Sequence, residues 1–234
     1  MKALMMGALC AVSLGPNAAG AAPTSTRAGA PSPIPAMQKA LTGAARYQLD
    51  IAQGAIADVP ASWSTVVVLG TGRAARVYVT VALVAKGKTV RVQEYVSGST
   101  LCRRLGTTGR FTCTTSAAEA AKVTQGLDPT RLLIRPGVAV TFTPMAAKTV
   151  GGRSCDGYGV VSRFNTGKTS RSTLYVAHGS SLPCELDSTI RLTTSETSSN
   201  GKQTTVETAR LQMIWSRFGD PGLAIPDLPG VPTP

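Results

Sequence analysis

His178 is the only histidine in the chain, and Ser180 and Ser181 follow it closely enough to suggest a serine nucleophile activated by an imidazole. Residues so near each other on one turn cannot easily face each other with a third group orienting the base, so His178-Gly-Ser-Ser181 reads as a loop tip. Glu185 and Asp187 alternate onto one strand face and could sit near each other as paired carboxylates, but a solvated face is the better account of them. The stretch VVVLGTGRAA, Val66–Ala75, fits a dinucleotide fingerprint at Gly70, Gly72 and Ala75. That chemistry needs a helix whose first amides meet a pyrophosphate. Arg-Val-Tyr-Val-Thr-Val follows instead, a β-rich run that predicts a hairpin turn. Gly87-Lys88-Thr89 and Gly167-Lys168-Thr169 look like the tail of a phosphate loop, but Ala82 and Ser162 stand where its first glycine belongs. The sequence therefore offers no catalytic residue and implies no cofactor.

Five cysteines are present. Cys10 lies in a segment with the grammar of an export signal: Lys2, the apolar run Ala3–Leu14, a Gly15-Pro16 break, and small residues with a cleavage point after Ala21. A lipid-anchor cysteine wants a small residue before it and a longer apolar run, and Cys10 follows Leu9 after a very short one. An exported chain keeps an even set, Cys102, Cys113, Cys155 and Cys184, so disulfides are favoured over metal. Three connectivities exist, and local pairing suggests Cys102–Cys113 and Cys155–Cys184. A zinc site would need two close pairs, whereas Cys102 and Cys113 are far from C-x-x-C spacing. No metal site is expected. The product is expected to be secreted or held in the cell envelope.

The formal charge is +12, one unit of which, Lys2, leaves with the signal. The remaining cations are spread over many strands, which suits solubility or attraction to an anionic membrane or cell-wall polymer. With four Phe and five Tyr, none interleaved with the basic residues, the chain lacks a base-stacking platform, and nucleic acid is not an expected partner.

These residues must be positioned by strands. Val77, Val79, Val81 and Leu83 alternate with Tyr78, Thr80 and Ala82, which sets an aliphatic row on one face. Lys86-Gly87-Lys88 turns the chain, and Val90, Val92 and Glu94 alternate with Arg91, Gln93 and Tyr95 on the way back. A short strand carrying Cys102 and a return through Phe111 to Cys113 complete a meander. Before it, Pro35 opens a short helix with Met37, Ala40, Leu41 and Ala44 on one side. Strands follow at Tyr47–Ile51 and Trp63–Leu69. After the meander, Ser116-Ala-Ala-Glu119 is a capping box opening a helix to about Gly126. Asp128-Pro129 ends that helix, and Arg135-Pro136-Gly137 turns into further strands at Val138–Phe142, Tyr158–Phe164, Thr173–Ala177, Cys184–Leu192 and Thr204–Trp215. Turns are expected at Asn165-Thr-Gly167 and Asn200-Gly201. The expected organisation is a signal peptide over 1–21, a disordered linker over 22–34, one domain over 35–229 and a tail over 230–234. The last nine residues look too poor in core side chains to fold. The fold class is α+β: one large curved antiparallel sheet, a half-barrel, closed by two or three short helices.

Three stretches carry a resemblance to a known family. They are Glu94-Tyr-Val-Ser-Gly98 with Cys102-Arg103-Arg104 and Gly109-Arg110-Phe111; Ser172-Thr-Leu-Tyr-Val176 through Leu182-Pro183-Cys184-Glu185; and Phe218-Gly-Asp-Pro221 to Ile225-Pro226. With the N-terminal helix and the Tyr-initiated strand, the pattern resembles the exported LolA-like lipoprotein-carrier superfamily, which includes the lipid-binding lipoproteins of actinobacteria. The resemblance implies an eleven-strand half-barrel closed by helices, an apolar cavity for acyl chains, and no enzymatic activity. The anchor cysteine of many actinobacterial members has no convincing counterpart here, Cys10 being the rival candidate, and the two disulfides are not general to the superfamily. The cavity candidates are Val77, Val79, Val81, Val90, Val92, Leu211 and Met213, and the expected ligand is a lipid or another apolar molecule. The alternative is a disulfide-stapled interaction module whose core is filled.

Overall fold

The structure, a computed structural model, describes residues 31–56, 59–71, 74–85, 87–125, 133–134, 137–165, 169–198 and 201–231. The signal peptide, most of the linker, Asp128-Pro129, Arg135-Pro136 and part of the turns at Asn165 and Asn200 lie outside them. Helix α1, Ile34–Gly43, begins with Pro35 in its first turn, where a missing amide proton costs nothing. Ile34 and Met37 are buried and Leu41 packs beside them, while Ala40 and Ala44 face away from the core.

Strands β1 (Arg46–Gln53), β2 (Ala61–Leu69), β3 (Arg76–Ala85), β4 (Lys88–Ser97), β5 (Thr100–Leu105) and β6 (Thr112–Thr115) form one antiparallel meander. Helix α2, Ala117–Gln125, separates it from β7 (Val138–Val150), β8 (Arg153–Phe164), β9 (Thr169–Ala177), β10 (Pro183–Ser198) and β11 (Gly201–Ser216), a second meander. The seam between them is β1 against β11, with Leu49 opposite Trp215 and Ile51 opposite Met213. The result is an open sheet of eleven strands in the order β6-β5-β4-β3-β2-β1-β11-β10-β9-β8-β7. The last strand therefore joins the two halves at the centre and does not close an edge. The sequence pattern suggests about nine or ten strands and the structure has eleven, with β6 on the expected return from Phe111 to Cys113.

One face of this sheet feeds one core. Val77, Val79 and Val81 of β3, Leu49 of β1, Phe142 of β7, Leu174 of β9 and Trp215 of β11 belong to a single buried cluster with Ile34, Met37, Ala120, Val123 and Leu133. A sheet so wide can bring its two flanks to one core only by curling. Both helices contribute to that same cluster.

The outer face is partly covered by the chain's own end. Leu223 packs on Val67 and Leu69, and Leu228 on Tyr95, Cys102 and Phe111, while the Phe111 amide donates to the Pro229 carbonyl at 3.0 Å. That strap explains why Val66–Leu69 is an unbroken apolar run: Val66 and Val68 face the core, and Val67 and Leu69 face the strap. The C-terminal residues thus fold against the sheet as far as Val231, contrary to the expectation from their composition.

Both expected disulfides are present, Cys102–Cys113 joining β5 to β6 and Cys155–Cys184 joining β8 to β10. The fingerprint at Gly70 is a hairpin turn, with Leu69 opposite Arg76 and Gly70 at φ 86°. Gly157 is needed for a different reason: a Cβ there would sit 2.6 Å from the Ala146 carbonyl, at the bulge between Met145 and Lys148.

Candidate functional site

The candidate site is the core-facing side of the sheet. Register places Glu94, Val79, Val66, Leu49 and Trp215 in one cross-strand row, and Val92, Val81, Ser64, Ile51 and Met213 in the next. Val77, Val79, Val81 and Met213 are 2%, 0%, 2% and 1% exposed. Val92 and Leu211 pack against the same cluster, and Val90, at the far end of β4, is 43% exposed. Six of the seven candidates thus share one apolar face; Val90 has the same strand parity but stands at its rim.

Polar groups interrupt this face. Glu94 is buried, and Arg103 Nε donates to its Oε1 at 2.7 Å, while Arg103 Nη1 lies 3.7 Å from Glu119 on α2. The Ser116 hydroxyl caps α2 by accepting from the Glu119 amide at 3.3 Å. The box glutamate, however, reaches Arg103 instead of returning to the cap, so it ties the helix to the sheet. Glu94 Oε2 and Trp215 Nε1 are buried with no hydrogen-bond partner among the described residues. Ser62, Ser64 and Ser162 are also buried, and Ser172 and Ser188 share a hydrogen bond of 2.9 Å across β9 and β10.

Sequence reasoning did not single out Arg153. It donates to the carbonyls of Trp215 and Pro183, lies over the Phe218 ring at 4.9 Å, and has its pKa lowered by burial. A lone arginine between glycines and a cysteine gives no pattern that would have revealed this. Glu185 and Asp187 do share the outer face, but each has its own cation: Lys148 at 2.8 Å and Arg210 respectively. The Arg210 pKa is raised, first by its hydrogen bond to Asp187. His178 Nδ1 lies 3.1 Å from Asp156 Oδ2 on an exposed turn, and no serine is bonded to it among the described residues. No group of three metal-ligating side chains occurs among the described residues.

Two open grooves flank the site without taking walls from the candidate valines. One, of about 690 Å³, runs between α1 and the Ser180–Leu182 turn, with Phe218 at its base. The other, of about 520 Å³, lies between Arg46, Arg76 and the start of the strap at Leu223.

No protein-family model matches this sequence, and no curated protein matches it. Solved structures do. The chain is similar to the Mycobacterium tuberculosis lipoprotein LppX at 13% identity and a TM-score of 0.50, covering 81% of this chain and 94% of that one. It is similar to LprF from Mycobacterium bovis at 11% identity and a TM-score of 0.52, covering 85% and 96%. A LolA superfamily protein from Nitrosomonas europaea aligns over 80% of the chain, with a TM-score of 0.25 that says nothing about fold. At these identities the likeness is one of fold: the chain shares its fold with the two mycobacterial lipoproteins.

Proposed function

We propose that this protein is an exported, non-enzymatic carrier that holds a lipid or another apolar ligand between the curved sheet and helices α1 and α2. The observation that supports this reading most directly is the shape of the apolar face. Ten of the eleven strands contribute to one largely apolar face, broken by Glu94 and a few serines, and among the described residues only two short helices lie on it. Ile34 and Met37 from α1 and Ala120 and Val123 from α2 cover that surface, so uptake requires the helices to move off it. Trp215 Nε1 and Glu94 Oε2 favour an amphiphile over a plain hydrocarbon, because a ligand's polar group would supply the bonds these buried atoms lack.

A second reading, a disulfide-stapled interaction module, is favoured by the near-complete burial of Val77, Val79, Val81 and Met213, which suits a filled core. Fluorescent fatty-acid uptake separates the two. The carrier reading expects saturable binding that a natural lipid extract displaces and that Val81→Trp lowers by more than half, with the unfolding transition retained. Absence of saturable uptake by the folded wild-type chain would sink it.

A further inference from the structure

We propose that the rim of the sheet carrying the β3–β4 turn docks edge-on onto an anionic lipid bilayer. One cross-strand row, Arg91, Ala82, Trp63, Ala52 and Gln212, marks the approach to this rim. Trp63 is 53% exposed on the outer face, and Val90 and Leu105 are 43% and 56% exposed on the core side. Large apolar side chains left in water on both faces of one strand end are what an interface-penetrating edge needs.

The cations agree. Lys88 and Arg91 on β4, and Arg163 and Arg171 across the sheet on β8 and β9, are exposed at this same end, and none forms an ion pair with a described residue. Asp187, the acid in the marking row, is engaged by Arg210. At the opposite end Arg46 donates to the Pro221 carbonyl, Arg153 to that of Trp215, and Arg217 pairs with Asp220, while Lys39 and Arg76 are exposed there as well; what sets the β3–β4 end apart is that its cations stand beside exposed Trp63, Val90 and Leu105. A wet apolar edge beside free cations complements acidic headgroups over acyl chains. The inference rests on the carrier reading, since a ligand passing between bilayer and apolar face needs the open rim to meet the bilayer.

The two tryptophans, Trp63 and Trp215, make the test direct. Trp215 is 1% exposed, so a blue shift in emission reports Trp63. The processed chain recovered from its own host is mixed with phosphatidylglycerol-containing vesicles or with pure phosphatidylcholine vesicles. The expected result is co-flotation and a blue shift with the anionic vesicles only, both reversed by salt. The double variant Lys88→Glu, Arg91→Glu should weaken binding by more than about tenfold, and Lys39→Glu, Arg76→Glu at the other end should leave it within about twofold. No shift, equal loss in both doubles, or binding to soluble polyglutamate as tightly as to vesicles would overturn the proposal, the last pointing to a wall polymer. Rim docking by a chain that takes up no lipid would remove the carrier reading and leave the docking surface standing. Lipid uptake with an inert rim would do the reverse.

Discussion

Glu94 stands in a row with Val79, Val66, Leu49 and Trp215, and Arg103 is what makes a carboxylate tolerable there. Glu94 is buried while Arg103 reaches solvent, so removing Arg103 leaves a buried carboxylate unpaired, which outweighs the interaction itself. Arg103→Ala is therefore expected to destabilise the chain by about 1–3 kcal/mol at neutral pH. Glu94→Gln in the same chain should restore part of that loss, and a denaturant double-mutant cycle measures it; a null coupling would show that the pair is solvent-screened. Met213, at 1% exposure, tests the packing. Met213→Ala should cost about 2–5 kcal/mol, read as a lower denaturant midpoint at unchanged slope. The alternation of Val77, Val79 and Val81 and the place of Glu94 in the returning strand were legible in the sequence, because strand parity alone assigns a face. Arg103 as the carboxylate's partner was not, since cross-strand neighbours depend on register, which one sequence does not display.

At the scale of elements, most strands announced themselves by alternation, and both helices by their spacing and start signals. Strand ends did not: β10 and β11 run on to Ser198 and Gly201, past their last pairings with β9 at Ser188 and with β1 at Leu211. The strap was hidden for a different reason. Leu223, Ile225 and Leu228 sit among prolines with no repeat, so neither helical nor strand periodicity marks them; the family resemblance reaches Ile225-Pro226, but where the segment packs is visible only in its contacts with Val67, Tyr78 and Tyr95. Its first turn is held by Asp220, whose pKa is lowered chiefly by the hydrogen bond from Arg217 and next by the Gly222 amide. A depressed carboxylate contributes stability that is fully present above the ordinary aspartate pKa and is lost as pH falls through the folded value. The protection of the Gly222 and Leu223 amides, measured as exchange relative to the intrinsic rate at each pH, should fall on acidification below that ordinary value, and Asp220→Asn should show the lower protection already at neutral pH. Equal exchange in both chains would contradict the role given to this turn. The disulfides differ in span, 11 residues for Cys102–Cys113 and 29 for Cys155–Cys184. By loop entropy, replacing the second pair with serine should cost about 3.5 kcal/mol and the first about 3 kcal/mol. Thermal unfolding of the two variants ranks them.

On the whole-molecule scale, a wide antiparallel sheet curls around a core that it shares with two helices, and a C-terminal strap seals part of the outside. The sequence conveyed the class of this architecture through its strand count and helix positions, and the resemblance supplied its eleven-strand form. Whether the inner face holds protein or ligand was not legible, because the same aliphatic row serves a filled core and an acyl-chain site equally well. The burial of Val79 and Met213 beneath α1 and α2 makes this question one of helix movement. The most direct measurement is native mass spectrometry, with solvent extraction, of the processed chain purified without detergent from its own host. The carrier account predicts discrete added masses that extract as lipid and are absent from Val81→Trp. A single apo mass that offered lipids leave unchanged would contradict it and leave a solid-cored interaction domain in its place.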